Sequence, residues 1–222
     1  MLYLSNFATL FAVACFLILL SNIPILTVPE QFTPRGFSYW DAYRRLWEPG
    51  YRRMAASFLG YGEELVVVVL WPLYMYGFLA SFLSLGSLVA VTTCLTAGLV
   101  LYIGRLTDHA DKRIVLRLSS LGYSTIWLLR LFVQSVGSIF AVDALSRLMK
   151  RLVEVPQLSL LYEHARQEHH IMRHVVLFEM SLVIGKVLTM VVAIALFTWW
   201  PVAAWPAVFV TAAALTILYQ LL

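Results

Sequence analysis

Apolar residues along this chain gather into seven runs: Leu2 to Val28, Leu65 to Leu85, Ser87 to Ile103, Ile114 to Val133, Ser138 to Leu161, Val175 to Phe197 and Val202 to Leu222. A helix rises about 1.5 Å per residue and needs roughly 20 residues to cross the hydrocarbon core of a bilayer, so each run is long enough to span. The pattern predicts an all-α fold, a polytopic transmembrane helix bundle of about seven spans. Only one connection is long, residues 29–62. It holds three of the eight prolines, Trp40, Trp47 and five arginines, and reads as a cytoplasmic linker. The expected organisation is a first span over 1–28, the linker over 29–62, and a six-helix bundle over 63–222.

Composition agrees with a lipid setting. Hydrophobic residues make up 61% of the 222 positions and charged residues 13%, which excludes an ordinary water-soluble fold. The two cysteines, Cys15 and Cys94, both lie inside apolar runs and cannot form a disulfide framework. A net charge of +4 points to nucleic acid in a soluble protein; here it is a topology signal, and no nucleic-acid partner is expected. Eleven of the 16 Lys and Arg residues fall in alternate connections or at their helix bases, whereas the turns near Leu85, Gln134 and Trp200 carry none. The positive-inside rule then places the protein in the cell membrane with its amino terminus outside and its carboxyl terminus cytoplasmic. Met1 runs directly into an apolar helix without a basic leader, and Leu222 ends inside an apolar run. The expectation is a fragment or one half of something larger; the alternative is a complete seven-helix protein with a reverse signal anchor.

A charge at the bilayer centre costs at least roughly 2.5–3.5 kcal/mol, so each needs a partner or a wet cavity. Five basic residues sit in spans: Arg130, Arg147, Lys150, Arg151 and Lys186. In the fifth span Asp143, Arg147, Lys150, Arg151 and Glu154 fall within an arc of about 100° on a helix. Such a helix can lie flat on a membrane. The alternation of basic connections favours a crossing, with the ionic face turned to a cavity or a neighbouring helix. Depth arithmetic pairs Arg130 with Asp143 as a structural ion pair. It also brings Glu179 and Lys186, seven residues apart on the sixth span, within reach of Arg151 and Glu154. Asp143, Arg147, Lys150, Arg151, Glu154, Glu179 and Lys186 are the candidate substrate or ion pathway; the competing reading for each is structural ion pairing.

Between the third and fourth spans stands Gly104-Arg105-Leu106-Thr107-Asp108-His109-Ala110-Asp111-Lys112-Arg113. Gly104 would permit a close turn at a helix end, Asp108 would accept backbone N–H groups of a neighbouring helix, and Lys112 and Arg113 would hold the turn at the inner surface. The segment resembles the loop signature of the major facilitator superfamily of secondary transporters, with His109 at a usually basic position and Asp111 in place of a glycine. The resemblance implies that Gly104, Asp108, Lys112 and Arg113 form a gating loop and that the first span corresponds to the sixth of twelve helices. The remaining six spans would then be the carboxyl-terminal half, and the missing amino-terminal transporter half a partner. Gly62-Glu63-Glu64, Trp71-Pro72-Leu73-Tyr74, and Glu179 with Gly185-Lys186 look like bacterial permeases of unassigned substrate in that superfamily. What this implies is transport of a small solute by alternating access around a midplane site. Proton or ion coupling is one option, with Glu179 the leading carboxylate.

Other chemistry finds less support in the residues. Glu163, His164, Glu168, His169, His170 and His174 have no known metal-ligand spacing and read as a solvated loop, so no metal and no cofactor is expected. All five histidines lie in or beside cytoplasmic connections, which removes the base that intramembrane hydrolysis needs. Neither a phosphate loop nor a dinucleotide fingerprint occurs. The alternatives to transport are a non-transporting scaffold or lipid-contacting membrane protein, then an intramembrane enzyme. Pro72 and Pro156 are expected to kink their spans, and Trp199, Trp200 and Trp205 to anchor the outer boundary.

Overall fold

The computed structural model describes residues 2–27, 38, 40, 43–44, 47–79, 81–109, 111–167 and 171–222; of residues 2–7, 25, 82, 85, 101–109, 167 and 171–173 it describes the backbone only. Among the described residues there are seven helices and no strand. The chain divides into two units, Met1–Phe37 and Ser38–Leu222. The first is helix α1, Leu2–Ser21, followed by a short helical turn, Ile23–Leu26. Helix α1 carries no charge and ends on polar side chains that take up a free carbonyl: Ser21 Oγ and Asn22 Nδ2 both donate to the Ile18 carbonyl, at 2.7 and 2.9 Å.

In the second unit the described residues form a bundle with six long helices. Helix α2 spans Arg52–Leu79, α3 Phe82–His109, α4 Lys112–Leu129, α5 Val136–Gln167, α6 Ile171–Trp199 and α7 Ala204–Ile217. Helix α5 packs on α3 and α4, α4 on α7, and α2 on α6 and the end of α7. Among the described residues, three helices are long and apolar enough to cross a bilayer: Arg52–Leu79, His174–Trp199, and α7 with its 3-10 extension, Ala204–Leu221. Helix α6 turns Val183, Val187, Leu188, Met190, Val191 and Ile194 outward. An apolar surface on this scale suits association with a membrane or with another protein.

Helix α2 starts at Arg52, so residues 52–62, expected in the linker, form its first turns. The physical reason is amphipathic: Met54, Ala55, Ser57, Phe58 and Tyr61 are buried, while Arg52 and Arg53 stay exposed. Phe58 and Tyr61 meet Phe178 of α6 edge to face, with ring centroids 4.9 and 5.3 Å apart. Gly60, Tyr61 and Gly62 give the helix a tight 3-10 turn, and the small residues bring its backbone against α6 and α7.

Pro72 and Pro156 are both accommodated inside continuous helix. Pro72 follows a π-helical segment, Val66–Leu70, in which the chain widens just before the residue that has no N–H to donate. Pro156 lies within α5 and frees the carbonyl of Leu152. The Ser119 hydroxyl of α4 approaches that carbonyl at 3.1 Å, so a neighbouring helix meets the polar group that the proline exposes.

The connection between α3 and α4 differs from the expected loop. Helix α3 runs through Gly104 to His109, so Gly104 does not sit at a turn; the stretch contains no proline to stop the helix. Asp111, which stands where the loop signature has glycine, has extended backbone and caps α4, its Oδ1 accepting the Arg113 N–H at 2.9 Å.

Candidate functional site

Two buried carboxylates organise the interior of the six-helix bundle. The first is Asp143 of α5, 2% exposed. It accepts Trp71 Nε1–H of α2 at 3.0 Å, the Thr92 hydroxyl of α3 at 2.9 Å and Arg147 Nε–H of its own helix at 2.8 Å. These three donors come from three helices, and together they satisfy a charge that burial would otherwise penalise heavily.

The second is Glu63 of α2, fully buried. Its Oε2 accepts the Tyr123 hydroxyl of α4 at 2.9 Å, and its Oε1 accepts the hydroxyl of Tyr219, in the 3-10 turn after α7, at 3.0 Å. Lys150 of α5 forms an ion pair with the same Oε1, and its ammonium lies 4.9 Å from the Tyr61 ring centroid. One carboxylate thereby ties α2 to α4, α5 and α7. The next residue, Glu64, pairs with Lys186 of α6 at 2.7 Å. Glu154 holds Arg151 at 2.7 Å and lies 3.7 Å from Lys150.

Arg130 follows α4 in a short 3-10 turn and is fully buried. Its guanidinium sits 3.5 Å from the Trp127 ring centroid and 4.2 Å from that of Trp71. Its Nη2 donates to the Ser146 hydroxyl of α5 at 2.7 Å. The Nε and Nη1 groups have no hydrogen-bond acceptor among the described residues. The expected Arg130–Asp143 ion pair does not form, because the carboxylate is engaged by Trp71, Thr92 and Arg147. Trp71 stands between the two charges, its ring face on Arg130 and its N–H on Asp143.

These groups surround a cavity of about 550 Å³ walled by α2, α3, α4 with its 3-10 extension, and α5. At one wall stand Arg130, Asp143, Ser146 and Arg147; Val67, Val68, Val100, Val155 and Leu158 supply apolar walls. The volume suits a small organic molecule, and the mixed lining is that of a ligand pocket rather than of a packed core.

Of the sequence candidates, Asp143, Arg147, Lys150, Arg151 and Glu154 line this cavity together. Lys186 reaches it only through Glu64. Glu179 does not: it lies exposed on α6, with no ion-pair partner among the described residues, so the expected pairing with Arg151 does not form. The geometric reason is that α2, carrying Glu63 and Glu64, lies against α6 and supplies the carboxylates that Lys150 and Lys186 take. Among the loop candidates, Lys112 pairs with Glu163 at the far end of α5. Gly104 and Asp108 lie on the α3 backbone, and their side-chain environment falls outside the described residues.

Glu63, Glu64, Tyr123, Tyr219 and Trp71 join the site without being among the candidates that the sequence pattern supplies. Two consecutive glutamates directly before Leu65-Val-Val-Val-Val-Leu70 were the available signal, since such a pair at the head of an apolar run needs cations nearby. Of the histidine and glutamate cluster, His164 Nδ1 lies 2.8 Å from the Leu160 carbonyl and His174 meets the Tyr51 ring edge on; Glu168, His169 and His170 fall outside the described residues. Comparison of the chain with protein-family models, with curated proteins and with solved structures gives no match.

Proposed function

We propose that this protein carries a small solute across a cell membrane as part of a secondary transporter of the major facilitator type. The observation that supports this reading is the ion-paired cavity of about 550 Å³ inside a bundle whose outer face is apolar. Buried charge is costly in lipid, and a bundle that needed only to stand in a membrane would be served by apolar packing. In this reading all seven helices cross, the basic connections face the cytoplasm, and the amino terminus lies outside. A second half-bundle closes the cavity from the opposite side, and the solute moves as the two halves rock about it.

Helix α3 separates the two ends that test this topology. With Cys15 and Cys94 replaced by serine, cysteines introduced at Ser84 and at Lys112 are expected to label from opposite sides of intact cells, Ser84 from outside and Lys112 only after permeabilisation. Labelling of both positions from outside with an impermeant maleimide overturns the orientation and the transporter reading with it.

A further inference from the structure

Among the described residues in and beside the cavity, the ion pairs leave one cation over. Arg147 has Asp143, Lys150 has Glu63, Arg151 has Glu154 and Lys186 has Glu64. Arg130 has no carboxylate bonded to it; its single acceptor is the neutral Ser146 hydroxyl. It is also the most deeply buried cation of the set, with 0% exposure, and it lines the cavity. The faces of Trp71 and Trp127 attract the guanidinium through their ring quadrupoles without cancelling its charge. Nε and Nη1 still carry N–H groups without acceptors. A buried charged donor left in this condition is costly, and an incoming anion would remove the cost.

The geometry points to an organic monoanion with an apolar body as the ligand of this cavity, its carboxylate held at the Arg130 wall and its body against Val67, Val68, Val100, Val155 and Leu158. Five cations, Arg130, Arg147, Lys150, Arg151 and Lys186, stand against four carboxylates, Glu63, Glu64, Asp143 and Glu154, in and beside the cavity, a net excess of one positive charge that favours one negative charge; a dianion would leave a charge over, and a cation would add to the excess. The apolar walls oppose a small, strongly hydrated anion such as chloride, which would give up its water for few contacts. That this ligand is the cargo rests on the transport reading above, whereas its binding to the cavity does not.

Benzoate, benzamide and benzylammonium share one body and differ in charge, and they make a direct probe set. For the full-length protein purified in detergent, equilibrium dialysis with radiolabelled benzoate is expected to show saturable binding at millimolar concentration or below, with competition by neither benzamide nor benzylammonium. Loss of the charged contact in Arg130→Gln should weaken benzoate at least about ten-fold, the effect of one charge-assisted hydrogen bond. Because that variant leaves two tryptophan faces without their cation and can fail to fold, Ser146→Asp is the second test. It places a carboxylate on the residue that Arg130 already bonds, so it should raise the thermal midpoint of the unliganded protein and abolish benzoate binding. The proposal is overturned if benzoate does not bind, if benzamide competes equally, or if folded Ser146→Asp binds benzoate as the parent does. Charge-selective binding together with opposite-side labelling supports both readings; charge-selective binding with failed topology leaves the anion site standing and removes only the transporter.

Discussion

Alanine at Gly62 or Gly185 is expected to deprive the protein of its fold. A Cβ at Gly62 would lie 2.9 Å from the Gly185 carbonyl carbon and closer still to the Gly185 oxygen and the Thr189 hydroxyl. A Cβ at Gly185 would meet the Leu59 carbonyl group and lie 3.1 Å from Leu59 Cα. These obstacles are mostly backbone, so no rotamer change relieves them and α2 must move away from α6. Overpacking of this kind costs about 1–3 kcal/mol where side chains can shift and more where they cannot. Here the separation also disturbs Glu63, the residue after Gly62, whose three partners sit on other helices. Each variant should give a large loss of monodisperse protein on size exclusion after detergent extraction. Gly77→Ala, also in α2 but with nothing within 4 Å of its added Cβ, is the control. It should be neutral or stabilising by roughly 0.5–1 kcal/mol, the helix preference of alanine over glycine. Equal yields from Gly62→Ala, Gly185→Ala and Gly77→Ala would show that close approach of α2 and α6 does not hold the bundle together.

The contrast between those glycines shows what sequence patterning carries and what it leaves out. Helices α6 and α7 are legible because their apolar runs are long and almost unbroken, and a run of that kind has one outcome in lipid. The start of α2 is not legible in the same way. Arg52, Arg53, Ser57 and Glu63 interrupt the apolar pattern there, and two of them are buried only because partners arrive from remote parts of the chain. Ser57 donates to the Tyr219 carbonyl, 162 residues away in sequence, and accepts from Gln157, 100 residues away. Local spacing contains no trace of such contacts.

The site was half legible for the same reason. The arc of charges on α5 follows from helical periodicity alone, and the structure gathers Asp143, Arg147, Lys150, Arg151 and Glu154 at one cavity. Partner assignment needed the lateral arrangement of helices, which depth along the membrane normal does not give. A start of α2 at Leu65 leaves both glutamates before its first turn, and the cations then match the carboxylates that remain. Arg130 is legible in the sequence as a charge that needs a partner. Its actual neighbours, two tryptophan faces and a serine, lie on helices whose adjacency no pattern reveals.

Removal of either member of the Glu63–Lys150 pair is expected to destabilise the protein by about 3–5 kcal/mol, and removal of both by clearly less than the sum. The two single variants differ in what they leave behind. In Glu63→Gln the cation of Lys150 remains, but Glu154 stands 3.7 Å away and can take it, and the amide oxygen still accepts one of the two tyrosine hydroxyls. In Lys150→Met the Glu63 carboxylate keeps both tyrosine donors yet has lost its cation in a fully buried position. Tyrosine hydroxyls orient toward a carboxylate without neutralising it, so Lys150→Met should be the more damaging. In the double variant no bare charge remains, and the thioether fills the space of the lysine stem. Unfolding by SDS titration of the purified protein, followed by tryptophan fluorescence, gives the three free energies and hence the coupling. A coupling energy near zero would mean that the two residues do not share a field, and the hub that joins α2 to α4, α5 and α7 through Glu63 would have to be abandoned.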